Sequence, residues 1–258
     1  MMGTERMLEL QRLGIEAWIR MLGASAPRGE VLESGGVVAA VVPECRQRSI
    51  ANSGICRDAE GLERALPRLA EAYERAGIAA SAIWTVDPDP AAAAALERNG
   101  YVLDGEPAAM HANLAEVGKT DLGDLDWDSD ASAEEIGRVN DFAYGYPEGE
   151  GVAPALGAPG GFAVRCYRAR SEGELAAVLA TLDIGSDCVI IWVATLPEHR
   201  GRRLASRLLA AALGEARERG LETTTLQASM LGRGVYERLG YELVAPLQLY
   251  ERRVGSGT

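Results

Sequence analysis

The stretch Val193-Ala194-Thr195-Leu196-Pro197-Glu198-His199-Arg200-Gly201-Arg202-Arg203-Leu204-Ala205 decides how this chain is to be read. It begins inside the run 188–196, which is apolar on both alternating faces apart from Thr195, the pattern of a central strand covered on each side. It ends in the segment 204–219, whose apolar residues follow a helical period. The junction is therefore a turn from strand to helix, where the first amides of the helix are unpaired and its dipole is positive. Such a turn binds anions, and Arg200, Arg202 and Arg203 raise the local positive potential of an otherwise acidic chain. A diphosphate fits this description. No Gly-Lys-Ser/Thr follows, so the turn is not a Walker loop, and the spaced glycines of a dinucleotide fingerprint are missing.

Outward from this turn the chain alternates between the two periodicities. Strands are expected at 162–169, 175–182 and 222–228, with a short helix and terminal strands after the last, so this half reads as α/β. Downstream stand Leu226-Gln227-Ala228-Ser229 and then Gly234-Val235-Tyr236-Glu237-Arg238-Leu239-Gly240-Tyr241. Upstream, a helix is expected at 133–144, followed by a Gly- and Pro-rich segment, 145–161, that carries Tyr146.

Taken together, the arginine turn and the downstream tyrosine segment resemble the GNAT superfamily of N-acetyltransferases. The signature (Arg or Gln)-x-x-Gly-x-(Gly or Ala) is matched by Arg200 and Ala205 at its outer positions. Arg203 stands where the signature has its inner glycine, and a left-handed backbone at that side chain would cost about 1–3 kcal/mol. The resemblance implies acetyl-coenzyme A as the acetyl donor, with Arg200, Gly201, Arg202, Arg203, Leu204 and Ala205 around its pyrophosphate. It also implies backbone pairing of Val193, Ala194 and Thr195 with the pantetheine arm, Ser229 as a further contact, and Tyr236 as the acid that protonates the departing thiolate. These roles suit the chemistry, because acyl transfer to an amine needs a polarised carbonyl, an unprotonated nucleophile and a proton for the leaving sulfur. No carboxylate lies within 189–196, so deprotonation falls to water or to a distant carboxylate, for which Asp141, Glu148 and Glu150 are candidates, and 145–161 is expected to cover the acceptor. His199 reads as a surface position beside the phosphates.

The first half repeats the order in weaker form. Helices are expected at 6–22, 59–76 and 91–98 and strands at 37–42 and 82–86. Leu96-Glu97-Arg98-Asn99-Gly100-Tyr101 echoes Tyr236-Glu237-Arg238-Leu239-Gly240-Tyr241. Aligning the two copies places the arginine turn on Cys56-Arg57-Asp58-Ala59-Glu60-Gly61, whose acids repel pyrophosphate, and Tyr236 on Leu96, which has no proton to give. The expected organisation is two GNAT-like domains in tandem, each a mixed, mostly antiparallel sheet flanked by helices: a degenerate domain at 1–118, an acidic linker at 119–132 and a catalytic domain at 133–258.

Bulk properties agree with that division. A chain of 258 residues is at the size where one hydrophobic core gives way to two, and 47% hydrophobic residues suffice to build them. A net charge of −12 disfavours nucleic acid and suits a cationic small-molecule or peptide amine as acceptor. Cys45, Cys56, Cys166 and Cys188 show no metal-ligand spacing with His111 or His199, so no metal is expected. No run is long enough to span a bilayer, and acidic residues among the first apolar ones argue against a secretory signal, so a cytoplasmic protein without membrane partners is expected. A second reading keeps the fold and removes turnover, giving a protein that binds or senses acyl-coenzyme A.

Overall fold

The computed structural model describes all residues except 1–2, 87, 119, 148, 159, 231 and 255–258. The first half runs through α1 (Thr4–Ser25), β1 (Glu30–Ser34), β2 (Val37–Val41), β3 (Ser53–Cys56), α2 (Ala59–Arg75), β4 (Ala80–Thr85), α3 (Pro90–Arg98), β5 (Val102–Gly105) and β6 (Ala108–Asn113). The second comprises β7 (Asp126–Asp128), α4 (Ala133–Ala143), β8 (Val164–Ser171), β9 (Glu174–Ile184), β10 (Asp187–Thr195), α5 (Leu204–Glu218), β11 (Thr223–Ala228), α6 (Arg233–Glu237), β12 (Glu242–Pro246) and β13 (Gln248–Arg253). Helix starts follow the local chemistry. The Asp58 carboxylate accepts from Gly61 N at 2.7 Å to cap α2, and Ser132 and Glu135 form a reciprocal capping box on α4.

Two mixed sheets result, in the orders β1-β2-β3-β4-β13-β5 and β12-β6-β11-β10-β9-β8-β7. Each contains one parallel pair, β3 with β4 and β10 with β11, and is otherwise antiparallel among the described strands. The expected tandem of α/β domains is therefore present. Its boundaries, however, do not follow the chain. β6, from the first half, lies between β11 and β12 of the second sheet, with Met110 opposite both Leu226 and Leu243. β13 returns to the first sheet between β4 and β5, with Tyr250 opposite Ile83 and Leu103. A division at 118 and 133 thus removes an interior strand from each sheet. The segment AAMHAN of β6 carries few of the residues that favour strands; pairing on both edges, not propensity, makes it one.

The expected acidic linker is also built into the fold. Asp126–Asp128 is edge strand β7, and Asp128 pairs with Arg168 at 3.0 Å and Arg170 at 2.9 Å on the adjacent strand, while Arg168 reaches Glu135 at 2.8 Å. Opposite charges directly across a strand pair are mutually stabilising, so a segment that reads as solvated in isolation becomes ordered against arginines far along the chain.

Burial explains the apolar strands. In β2, Val37, Ala39 and Val41 face α2 and α3, while Val38 and Ala40 face the other way onto α1. α1 lies between the two sheets, packing Ile15, Trp18, Ile19 and Leu22 among residues of both, and α4 shares that layer through Ile136 and Val139. α5 covers the far face of the second sheet with Leu204, Leu208, Leu209 and Leu213. Gly14 lets α1 approach β10, since a Cβ there would meet the Val189 side chain at 3.2 Å. The fully buried Gln11 side chain ties these layers together: its Nε2 donates to Met110 O at 2.8 Å and its Oε1 accepts from Gln227 Nε2 at 2.8 Å. Among the described residues no helix is long and apolar enough to cross a membrane.

Because each sheet needs a strand from the other half, residues 119–258 produced alone should not give a folded monomer, whereas co-production with 1–118 should restore one. The intact chain should unfold in a single calorimetric transition. Two separate transitions, or a soluble and cooperatively folded 119–258 fragment, would show that the exchanged strands are dispensable.

Candidate active site

The site originates in the way β10 leaves β11. The two strands pair in parallel only from Asp187–Thr223 to Val189–Thr225, at the end where the buried Asp187 carboxylate accepts from Thr223 Oγ1 and Thr225 Oγ1, each at 2.6 Å. Beyond that, β10 continues with β9 to Thr195 opposite Ala177, through an irregularity between Ile191 and Ala194. Trp192 occupies that irregularity with φ 56°, a left-handed conformation that a bulky residue adopts only under constraint from its surroundings. Its ring packs 5.7 Å from that of Trp18 on α1. The outcome is a wedge between β10 and β11, in which backbone groups of β10 facing β11 are left without ladder partners.

A cavity of about 510 Å³ fills this wedge. Ile190, Ile191, Trp192 and Val193 line one side and Leu226, Gln227, Ser229 and Tyr236 the other. Val193 is therefore at the opening, with Ala194 buried and Thr195 half-buried just beyond it. Ser229 is exposed, and its Oγ accepts from Gly232 N at 3.2 Å, so it also shapes the turn before α6. Tyr236 packs edge-on against Tyr241, ring centroids 5.9 Å apart, and burial together with the neighbouring Tyr144 pushes its phenol above the ordinary value. It is thus a neutral hydroxyl across the physiological range.

The arginine turn lies at the outer end of β10. A single 3-10 turn, Pro197–His199, leads to Arg200, then Gly201 at φ 79° and Arg203 at φ 58° and ψ 21°, after which α5 begins at the buried Leu204. Arg203 therefore adopts the left-handed backbone that its place in the signature demands, at a cost of roughly 1–3 kcal/mol, and has no side-chain cap bond. Successive amides around left-handed residues form an anion-binding concavity, here continuous with the first turn of α5 and Ala205.

The three arginines are differently placed. Arg200 donates through Nη2 to Ala143 O at 2.7 Å and through Nε to Thr195 O at 3.3 Å, which fastens the C-terminus of α4 to the end of β10. Arg202 reaches Ser171 Oγ at 2.9 Å and Glu172 at 3.1 Å. Arg202 and Arg203 line an open basin of about 470 Å³ with Arg207, itself held by the Leu122 carbonyl and by Asp124 at 2.8 Å. Arg207 lies in the first turn of α5, four residues after the N-cap Arg203, and no sequence motif marks it.

The segment after α4 does lie over the cavity, to which it contributes Tyr144 and Tyr146. Of the candidate bases, Asp141 is buried and engaged: its carboxylate accepts from Val152 N at 2.7 Å and Ala153 N at 2.9 Å, capping the turn Ala153–Ala155. Gly151 is required there, because a Cβ would overlap that carboxylate. Glu150 is exposed and Glu148 lies outside the described residues. His199 is half-buried. Among the described residues no cluster of three His, Cys, Asp or Glu side chains could hold a metal.

The first half also contributes to the cavity wall. Trp18, Arg48, Ile50, Trp84, Asp104 and Leu249 all line it, the last from the returning β13. No local motif marks these residues; only the sandwiching of α1 and the strand exchange bring them there. The first half's own turn borders a separate cavity of about 340 Å³, lined by Arg12, Cys56, Arg57, Asp58 and Asp89 among others. Asp58 and Glu60 stand at the start of α2, and the Gly35 carbonyl packs so closely on Gly61 that no side chain fits. Leu96, in the place of Tyr236, is fully buried.

Residues 127–241 match the model of the acetyltransferase (GNAT) family. Among solved structures, a GCN5-related N-acetyltransferase from Kribbella flavida is 20% identical, with a TM-score of 0.69 over 95% of this chain and 95% of that one. A tandem GNAT protein from the clavulanic acid biosynthesis pathway gives 0.57 at 14% identity over 96% and 97%. A GNAT-family protein from Novosphingobium aromaticivorans gives 0.53 at 18% identity over 87% and 92%. At these identities the likeness is one of fold. No curated protein matches the chain in sequence. The wedge, the arginine turn and the tyrosine after β11 thus lie within the segment that matches the GNAT acetyltransferase family, in a chain whose fold is that of two GNAT-like units in tandem.

Proposed function

We propose that this protein transfers an acetyl group from acetyl-coenzyme A to an amine by direct attack within a ternary complex. The observation that carries the reading is the placement of three features on and around β10: a basin lined by Arg202, Arg203 and Arg207 at the start of α5, an edge of β10 without ladder partners, and a cavity on that edge lined by Tyr236.

In this reading the diphosphate is held by the amides of Gly201 to Ala205 and by Arg202, Arg203 and Arg207, while Arg200 acts through position, keeping the end of β10 and the acceptor-side segment together. The backbone of Val193, Ala194 and Thr195 pairs with the pantetheine arm, and a free amide there stabilises the oxyanion as the thioester carbonyl is attacked. Ser229 borders the same channel. The acceptor nitrogen forms a bond to the carbonyl carbon, the carbon–sulfur bond breaks, and the thiolate takes the Tyr236 proton. The tyrosinate regains a proton from solvent as the acetylated nitrogen loses its own. The first half, with acidic residues at its turn and Leu96 in the place of Tyr236, lacks the proton donor and serves as a wall of the site.

Tyr236→Phe should lower turnover about 100-fold, the lower end of what a general acid contributes, and leave the KM for acetyl-coenzyme A nearly unchanged. An unchanged rate would remove Tyr236 from the chemistry. The KM of acetyl-coenzyme A should rise in an Arg202→Ala, Arg203→Ala double variant, whereas that of S-acetylpantetheine, which lacks the diphosphate, should not. Equal effects on both would place the diphosphate elsewhere. Binding by wild type without release of free coenzyme A for any amine would favour the sensing role.

The pH profile carries a further test. The phenol of Tyr236 is raised above 10.0, so its protonated form is lost only above that pH, while the acceptor ammonium must lose a proton to react. Turnover per unit KM should therefore rise with pH and show no descending limb below pH 10.0 while the protein remains folded. A fall beginning near neutrality would assign the acid to another group.

A further inference from the structure

Arg48 is the feature of the cavity that the reaction above leaves unused. It lies in the turn between β2 and β3, and that turn is fixed by the fully buried Asn52. The Asn52 Oδ1 accepts from Val42 N at 2.7 Å, and its Nδ2 donates to Cys45 O at 2.8 Å and to Arg48 O at 3.1 Å. From this rigid base the side chain extends into the cavity wall, where the guanidinium carbon stands 3.3 Å from the centroid of the Tyr146 ring. Its Nε is buried with no hydrogen-bond partner among the described residues. None of the ion pairs formed among those residues includes Arg48.

A half-buried guanidinium without a carboxylate is costly, and the chain has an excess of acids, 38 against 26 bases, from which a partner could have been drawn. Arginine also has the geometry for a second role. A guanidinium can stack on an aromatic ring by its face while its edge donates in parallel to a carboxylate. The neighbouring walls are mainly apolar and aromatic, with Trp18, Trp84, Trp192 and Ile50, the cavity carries one further charged side chain, Asp104, of the sign that suits an acceptor's ammonium, and a volume of about 510 Å³ suits a small molecule.

We propose that Arg48 binds the carboxylate of the acceptor, so that the amine acetylated here is an amino acid or a close analogue with an apolar or aromatic side chain. The specificity residue comes from the half of the chain that lacks the arginine turn and the tyrosine. This rests on the acetyl-transfer reading for the identity of the acceptor, but binding can be measured without turnover.

Calorimetric titrations in the presence of coenzyme A would compare the apolar and aromatic amino acids with their decarboxylated amines, phenylalanine with 2-phenylethylamine and leucine with 3-methylbutylamine among them. The same pairs would be assayed for release of free coenzyme A from acetyl-coenzyme A. The acid of at least one pair should bind about tenfold more tightly than its amine, the scale of one charge-assisted bidentate contact. Arg48→Met, which keeps the stem, should erase that difference while leaving the amine's affinity and turnover unchanged, and Arg48→Lys should keep part of it. Equal binding of acids and amines by wild type, binding of neither, or an Arg48→Met variant that weakens both members alike would overturn the proposal. A preference for the acids with no coenzyme A released would instead sink acetyl transfer and leave the carboxylate site standing.

Discussion

Backbone pairing across the two sheets is the constraint on which everything else depends. An interior strand position cannot be left empty, because each neighbour would then bury a row of unpaired amides and carbonyls. β13 fills that position in the first sheet and β6 in the second. Since each is donated by the other half, neither sheet is closed until both halves are present. The same crossing holds α1 between the sheets, delivers Leu249 and Trp84 to the wedge between β10 and β11, and fixes where the first half's turn carrying Arg48 must lie.

Within the second sheet the decisive local event is the departure of β10 from β11. Two hydroxyl bonds to Asp187 hold the strands together at one end, and the left-handed Trp192 marks where β10 bends off with β9. Strain of this kind persists only when packing over-determines it, and the Trp18 ring against Trp192 supplies such packing from the other half. The wedge is thus a property of the whole chain, although its chemistry is concentrated in one domain.

Much of this was legible in the sequence because it is local. The run into Arg200, Gly201 and Arg203 announces a strand, a left-handed turn and a helix start, and the echo of Tyr236 in Leu96 announces the tandem. The remainder is long-range. β6 looks like no strand because its partners decide it; β7 looks like a solvated acidic linker because Arg168 and Arg170 lie far along the chain. Asp141 is a plausible base by position, yet two amides engage its carboxylate. Arg200 matches the signature, yet its side chain fastens α4 to β10, since sequence pattern fixes a backbone site more surely than the direction of a long side chain.

The exchange also bears on how the protein is made. Thr85 at the end of β4 touches Gln248 at the start of β13 across 163 residues of chain. At typical synthesis rates of roughly 5–20 residues per second, the first sheet therefore waits on the order of ten seconds for its missing strand. Throughout that interval the nascent first half presents the open edges of β4 and β5 and the apolar underside of α1 to everything near the ribosome. Such a chain is a natural client for chaperones, and its yield should be governed by how well those edges are shielded during translation more than by the stability of the finished fold.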